Sequence, residues 1–474
     1  MLIGRKEEQR VLHDAAKSEY SEFVAVYGRR RVGKTFLVRE TFGYRFTFQH
    51  AGVANGNLAT ELSAFSDSLS DAGLKSFDKP KNWMEAFNLL KEVIRQSNES
   101  KKIIFIDELS WMDTPNSSMI QALENFWNGW ASARKDVLLI VCASATSWII
   151  DKVVHNKGGL YNRLTAQIYV RPFTLAECRE YIKERNIVFD TYQILECYMI
   201  MGGIPYYWKL LKKGLSLAQN IDDIFFTDKA PLKNEFDYLY ASLFRNPEDY
   251  ISIVSALGSK KTGMTRDEII AATGLANSGG LSKKLEELES CDFIRKYHAF
   301  GNKKKGTVYQ LIDNYTLFYF KFLSDGSSDP RFWSNSINTP KINAWSGLAF
   351  ERVCLLHVDC IKEKLGISGV LTEVNAWSCA PNPDNGIFGS QIDLLIVRAD
   401  RIIDVCEMKY CALEYTVTEK FTMSMRRKIS DLINVTHTKY AIHPIIATPY
   451  GIIDNAYAGE VQAVITAEDL FKSR

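Results

Sequence analysis

The sequence predicts a multidomain α/β protein whose first domain is built on a parallel sheet. Three observations carry that prediction. The chain has 474 residues, more than one hydrophobic core organises, so two to four domains are expected. The apolar runs 23–27, 103–106 and 137–142 have the length and unbroken hydrophobicity of strands buried on both faces. The first of them passes directly into Gly28-Arg29-Arg30-Arg31-Val32-Gly33-Lys34-Thr35, behind which residues 35–40 have the spacing to open a helix.

That stretch has the form G-x-x-x-x-G-K-T. Between a strand and a helix, its backbone N–H groups point at a phosphate lying on the helix N-terminus. Gly28 and Gly33 permit the tight turn, with Arg29, Arg30, Arg31 and Val32 forming the loop between them. Lys34 then reaches the β- and γ-phosphates, and the Thr35 hydroxyl holds Mg²⁺. ATP and Mg²⁺ are the expected ligands.

Composition narrows the class. Hydrophobic residues make up 46% and charged residues 24%, the balance of a soluble globular protein. The formal net charge of +2 does not select a partner, because basic and acidic segments cancel. No apolar run approaches the ~18 residues of a membrane span. The start, Met1-Leu2-Ile3-Gly4-Arg5-Lys6-Glu7-Glu8, is charged at once and lacks a signal-peptide core. The 9 cysteines are scattered, without a C-x-x-C pair. A cytoplasmic protein with reduced thiols and no membrane association is expected.

The second phosphate-site element is Ile103-Ile104-Phe105-Ile106-Asp107-Glu108. A buried parallel strand there delivers two carboxylates to its C-terminal edge, where open α/β sheets place ligands. Asp107 binds Mg²⁺, directly or through water, and Glu108 orients the attacking water. The run 137–146 is another buried strand ending in small polar residues. Ser144 or Thr146 contacts the γ-phosphate or the water, or else caps the strand end. Arg163, in Gly158-Gly159-Leu160-Tyr161-Asn162-Arg163-Leu164, is an arginine-finger candidate acting in cis or on a neighbouring subunit, with a surface role as the alternative.

In order along the chain stand the P-loop, I-I-F-I-D-E, C-A-S-A-T-S, G-L-Y-N-R-L, R-P-F and G-G-I-P-Y-Y. This order resembles the archaeal- and bacterial-type ATPases at the margin between AAA and STAND proteins, over roughly residues 1–240. The opening I-G-R-x-x-E is similar to the box that lies beside the adenine in AAA-type ATPases. Ala143 departs from the pattern, standing where a glycine is expected before the serine. The resemblance implies about five parallel strands, a helical lid packed on the nucleotide, and a possible homo-oligomer. It places the ATPase core at 1–175 and the lid at 176–245.

Residues 246–325 change character. A helix over 250–257, a second opening at Thr265 with Glu268 three residues on, and a third over 281–288 precede two strands. The turn between those strands carries Lys303, Lys304 and Lys305. The arrangement resembles a winged helix-turn-helix, in which Lys283, Lys284 and the wing lysines meet DNA phosphates. Glu286, Glu287 and Glu289 on the same helix suit a protein–protein coupler instead.

A linker at 324–330 leads to a last domain over 340–474, with a helix opening near Trp345. Gly389-Ser390-Gln391-Ile392-Asp393 runs into a strand, and a turn separates it from a second strand ending in Cys406-Glu407-Met408-Lys409. Glu407 and Lys409 share one face because strand side chains alternate. Asp393, Glu407 and Lys409 resemble the D…E-x-K core of the PD-(D/E)XK nuclease superfamily, and Glu351 matches its first-helix acid. That resemblance implies Mg²⁺ held by Asp393 and Glu407, with Lys409 positioning the water. Arg426, Arg427 and Lys428 are candidates to approach the scissile phosphate.

Two functions follow as expectations: an ATPase that controls DNA cleavage, or a nucleotide switch whose last domain only binds DNA or a partner. A transcriptional regulator acting through the winged helix is a third.

Overall fold

The protein is described from a computed structural model that covers residues 2–144, 146–154, 158–244, 246–298, 300, 307–326 and 329–472. The expected wing tip, Lys303–Lys305, lies outside the described residues. The chain forms two compact units, Met1–Arg171 and Pro172–Arg474.

In the first unit, α1 (Lys6–Lys17) precedes β1 (Glu22–Tyr27), α2 (Lys34–Thr41) and β2 (Phe48–Ala51). There follow α3 (Leu58–Asp71), α4 (Trp83–Gln96), β3 (Lys102–Asp107), α5 (Leu109–Met112) and α6 (Met119–Gly129). The unit closes with β4 (Val137–Ala143), α7 (Thr146–Ile149) and β5 (Ala166–Tyr169). The strands form one sheet in the order β2-β3-β4-β1-β5, every neighbouring pair parallel. All seven residues of β4 are buried, which is why its sequence is continuously apolar rather than alternating.

Register decides where the site lies. β1 pairs with β4 from Glu22↔Leu138 to Tyr27↔Ala143, so Gly28 and Ser144 leave the sheet at one level. β3 ends at Asp107 along the same edge, because all these strands run the same way.

The second unit begins with helices α8 (Leu175–Glu184), α9 (Thr191–Met201), α10 (Pro205–Lys209), α11 (Leu217–Ile221) and α12 (Glu235–Leu243). Two of the quoted motifs meet here. Phe173 N–H donates to the Gly203 carbonyl at 2.6 Å, and a Cβ at Gly203 would lie 1.8 Å from the Phe173 oxygen, so only glycine fits.

Next come α13 (Pro247–Ser259), β6 (Met264–Thr265), α14 (Arg266–Thr273), α15 (Gly279–Ser290), β7 (Ile294–His298) and β8 (Thr307–Leu311). The three strands pair antiparallel in the order β6-β8-β7. Thr265 caps α14 in a box with Glu268, as its spacing predicts.

The expected linker is tied down on both sides. α16 (Asn314–Phe318) and α17 (Phe332–Ser336) flank it. Phe318, Phe322, Trp333 and Trp345 pack edge to face, with Phe225 and Phe226 of the preceding helices against Phe318. The buried Asp222 carboxylate accepts the Trp333 N–H at 2.7 Å.

The last elements are α18 (Pro340–Leu356), α19 (Val358–Lys364), β9 (Thr372–Cys379), β10 (Ser390–Arg398), β11 (Ile402–Met408) and β12 (Tyr415–Thr416). After them come α20 (Glu419–Thr436), β13 (Ala441–Ala447), β14 (Ile452–Ile453), β15 (Ala463–Ile465) and α21 (Ala467–Leu470). α18 starts at Pro340 and not near Trp345, since proline suits a first helical turn. The sheet order is β15-β13-β11-β10-β9: β9, β10 and β11 are antiparallel, and β11, β13 and β15 parallel. α18 packs on β11 and α20 on β10.

All nine cysteines are free thiols. Among the described residues no helix is long and apolar enough to cross a membrane.

Candidate functional site

At the sheet edge of the first unit the phosphate loop carries three residues with positive φ: Gly28 (146°), Arg31 (70°) and Gly33 (91°). Arg31 holds a left-handed conformation that costs a non-glycine residue about 1–3 kcal/mol, a kind of strain concentrated at functional loops. Gly28 is further constrained, because a Cβ there would lie 2.3 Å from the Val170 carbonyl oxygen. Gly28→Ala is therefore expected to destabilise the protein by roughly 2–4 kcal/mol, read by denaturant unfolding.

Arg29 and Val32 are buried and Arg30 is exposed. Lys34 is only 5% exposed, and its ammonium donates to the Gly28 and Arg29 carbonyls, both at 2.9 Å. The loop thus folds around the charge that a phosphate would meet.

Thr35 Oγ1 donates to Asp107 Oδ2 at 2.7 Å, bringing a hydroxyl and a carboxylate from β3 together. This hard-oxygen pair fits Mg²⁺. Asp107 Oδ1 accepts the Glu108 N–H at 3.0 Å, and Glu108 itself turns through φ 48°. The Glu108 carboxylate is gripped by one residue: Ser144 donates its N–H at 3.2 Å and its hydroxyl at 2.6 Å. The Ser144 hydroxyl therefore faces Glu108. Thr146 is buried, and its hydroxyl has no hydrogen-bond partner among the described residues.

Arg5, from the I-G-R opening, donates to the Arg171 carbonyl at 2.5 Å and to that of Val32 in the loop at 3.5 Å. Arg163 is exposed and stands ahead of β5, where Thr165 N–H bonds the Phe23 carbonyl. Phe23 is the second residue of β1, and Gly28 follows its last, Tyr27. Arg163 thus lies at the opposite end of the strand from the loop, roughly 15 Å away at 3.3 Å per residue. That separation weighs against the cis role expected for it; its exposure suits a contact across a subunit interface and the surface role alike.

The C-terminal residues form a second cluster. The Leu394↔Cys406 pair closes the β10–β11 ladder, and Asp393 and Glu407 are the next residues beyond it on the two strands. Glu351 on α18 and Asp393 meet through a third residue: the Lys261 ammonium lies 2.8 Å from Glu351 Oε2 and 3.1 Å from Asp393 Oδ2. Burial raises the Glu351 pKa, and Asp393 adds to the effect. Burial works against the charge of Lys261, yet Asp393 and Glu351 hold its pKa above the ordinary lysine value.

Glu407 is bracketed by lysines. Lys409 Nζ donates to Oε1 at 2.9 Å and Lys428 Nζ to Oε2 at 2.7 Å. Burial opposes ionisation of Glu407, but Lys428 and Lys409 pull its pKa below the usual range. A depressed folded-state pKa stabilises above the ordinary glutamate value and is lost as pH falls through the depressed one. The gap in unfolding free energy between the parent chain and Glu407→Gln is thus expected to shrink below about pH 4. Arg426 pairs with Glu460, and Arg427 lies over the Phe388 ring at 5.3 Å.

The two carboxylates converging on one ammonium fit a cation position; among the described residues no group of three or more His, Cys, Asp and Glu side chains forms a metal cage. Lys261 was missed in the sequence, where Lys260-Lys261-Thr262-Gly263 reads as an ordinary basic turn.

On α15, Lys284 pairs with Asp249 at 3.4 Å and Glu289 with Lys296 at 2.9 Å.

Comparison with known proteins places these observations. Residues 2–211 match a family described as an ATPase domain predominantly from Archaea. An uncharacterised protein of Methanocaldococcus jannaschii, MJECL04, is 26% identical over 357 residues, spanning 74% of this chain and 76% of its own. Among solved structures, the Walker-type ATPase PABY2304 of Pyrococcus abyssi is 17% identical with a TM-score of 0.47, covering 67% of this chain and 95% of its own. The ORC2 protein of Aeropyrum pernix, in ADPNP–ADP complexes, is 12% identical with a TM-score of 0.42, covering 75% and 96%.

Proposed function

We propose that the protein is a Mg²⁺-dependent ATPase whose nucleotide state governs a metal-dependent, DNA-cleaving C-terminal domain. The match of residues 2–211 to an ATPase family and the strand–loop–helix geometry support ATP binding and hydrolysis. Loop N–H groups and Lys34 would hold the phosphates, while Thr35 and Asp107 would hold Mg²⁺, which supplies charge stabilisation when bound. Glu108 orients a water and takes its proton as the water oxygen attacks the γ-phosphorus and the bond to the bridging oxygen of ADP breaks. Ser144 positions Glu108. Its hydroxyl bond to a carboxylate is worth about 1.5–3 kcal/mol. Ser144→Ala is expected to slow ATP turnover by about tenfold, with nucleotide affinity unchanged, as read by phosphate release and nucleotide titration.

The observation that carries the cleavage reading is the convergence of Glu351 and Asp393 on one cation position, beside the Glu407–Lys409 pair on the neighbouring strand. Mg²⁺ held by Glu351 and Asp393 would supply Lewis-acid chemistry, in place of the Asp393–Glu407 pair expected from the sequence, whose Glu407 is engaged by Lys409 and Lys428. Lys409 orients the attacking water, which gives a proton to solvent as its oxygen bonds the phosphorus; the bond from phosphorus to the leaving oxygen breaks, and that oxygen is protonated from solvent. The three-helix module with its hairpin is read as a winged helix that offers lysines to DNA. Arg163 acts across a homo-oligomer interface, on the nucleotide of the neighbour.

A second reading is favoured by one observation: Glu351, Asp393 and Glu407 each already have a lysine partner, as suits a non-cutting domain in a nucleotide switch. Nicking of supercoiled plasmid with Mn²⁺, with and without ATP, separates the two. Cutting that changes in Lys34→Ala supports ATP-controlled cleavage; ATP hydrolysis without cutting under any condition leaves the switch.

A further inference from the structure

We infer that Lys261 is an internal latch: its ammonium takes the place of the divalent cation between Glu351 and Asp393, closing the C-terminal site until the turn that carries it withdraws. The inference rests on reading that carboxylate pair as a metal site.

Three ammonium protons meet three carboxylate oxygens. Nζ is 2.9 Å from Glu351 Oε1, 2.8 Å from Glu351 Oε2 and 3.1 Å from Asp393 Oδ2. A lysine has three donors and no acceptor, so this arrangement uses its whole capacity. The oxygens a divalent ion needs are those the ammonium engages, and the two cations compete for one place.

The lysine and the carboxylates are mounted on different frames. The Lys261 carbonyl accepts from Gln310 Nε2 at 2.7 Å, and the Thr262 carbonyl accepts from the Tyr297 hydroxyl at 2.5 Å. Gln310 lies on β8 and Tyr297 on β7, so the hairpin carries the turn. Gln310 is itself fixed by Arg295, whose Nε donates to its Oε1 at 2.7 Å. Glu351 and Asp393 stand on α18 and β10. Two further ties join the frames: Arg352, beside Glu351, donates to the Lys261 carbonyl at 2.8 Å, and Phe300 N–H just past β7 donates to the Ala376 carbonyl of β9 at 3.2 Å. A solvated surface lysine does not have its own carbonyl clamped from two sides. Displacing the hairpin from α18 would withdraw the ammonium and expose both carboxylates together. The charged side chains that face the pair besides Lys261, namely Arg352 on α18 itself, Arg295 on β7 and Lys409, are all positive, so removing Lys261 leaves a site that still tolerates two carboxylates.

Mn²⁺ titration of the nucleotide-free full chain by calorimetry tests the latch. A site competent for one-tenth of the time binds its ligand tenfold more weakly. Lys261→Met is therefore expected to tighten Mn²⁺ binding by about tenfold, and adding Asp393→Asn to abolish that gain. Equal affinities in the parent chain and Lys261→Met overturn the latch, whatever happens to DNA. Loss of plasmid nicking in Lys261→Met with no gain in affinity also overturns it, making the lysine part of the cleavage chemistry. Failure of the nuclease reading looks different: Mn²⁺ binding tightens, yet neither protein cuts, and the latch stands. Should the methionine variant lose its circular-dichroism signature of folding, Lys261→Gln, which keeps size and polarity without the charge, is read in the same way.

Discussion

Glu108→Gln is expected to bind ATP as tightly as the parent chain and to hydrolyse it roughly 10²–10⁴-fold more slowly, the range that a positioned general base contributes. The substitution keeps the side chain's length; Ser144 N–H now donates to Oε2 at 3.2 Å and its hydroxyl to Oε1 at 2.6 Å, and the amide keeps an oxygen for the N–H while its NH2 donates to the hydroxyl oxygen. It removes the charge that accepts the proton from water. Binding should survive because the phosphate contacts come from the loop and Lys34, on β1 and α2 rather than on β3. Phosphate release together with equilibrium binding of a fluorescent ATP analogue reads both quantities. Unchanged turnover removes Glu108 from the role of base. Weakened binding, with turnover falling only in step, would assign it to nucleotide retention. Lys34→Ala gives the contrast, since its expected loss is in binding itself.

The second large effect lies in the other unit. Asp393→Ala is expected to abolish Mn²⁺-dependent nicking of supercoiled DNA, by roughly a thousandfold or more, because metal-held charge stabilisation is worth several kcal/mol. ATP turnover should remain at the parent level, since every group of the phosphate site belongs to residues 1–171. The fold should tolerate the change: Lys261 keeps both Glu351 oxygens, at 2.9 and 2.8 Å, when Asp393 is gone. Agarose-gel nicking and phosphate release on the same preparation give the two numbers. Loss of both activities, or of neither, contradicts separate sites.

Particular residues show how far the sequence could be read. The phosphate loop was legible because its chemistry is local: a strand, two glycines and a Lys-Thr pair at fixed spacing define a turn whatever surrounds it. Asp107 and Glu108 were legible once that loop was known, since parallel strands deliver their C-terminal residues to one edge. The contact of Ser144 with Glu108 was not, because it depends on the register of β4 against its neighbours and on the left-handed turn at Glu108. Arg163 was placed by motif alone, and the parallel pairing of β5 with β1 moved it to the far end of the strand.

By itself, then, the amino-acid order determined a parallel α/β unit with a nucleotide-phosphate loop at its edge, and two later segments whose strands carry charged residues in a recognisable alternation. Those properties follow from periodicity, propensity and short-range turn chemistry, all of which act within a few residues. What only the tertiary structure decided is which charges meet. Lys261 reaches Glu351 across 90 residues and Asp393 across 132, and Lys428 reaches Glu407 from a separate helix. Such pairings are set by how a hairpin, a helix and a sheet pack, and an ammonium drawn from water into a half-buried site needs the carboxylates that packing brings to it.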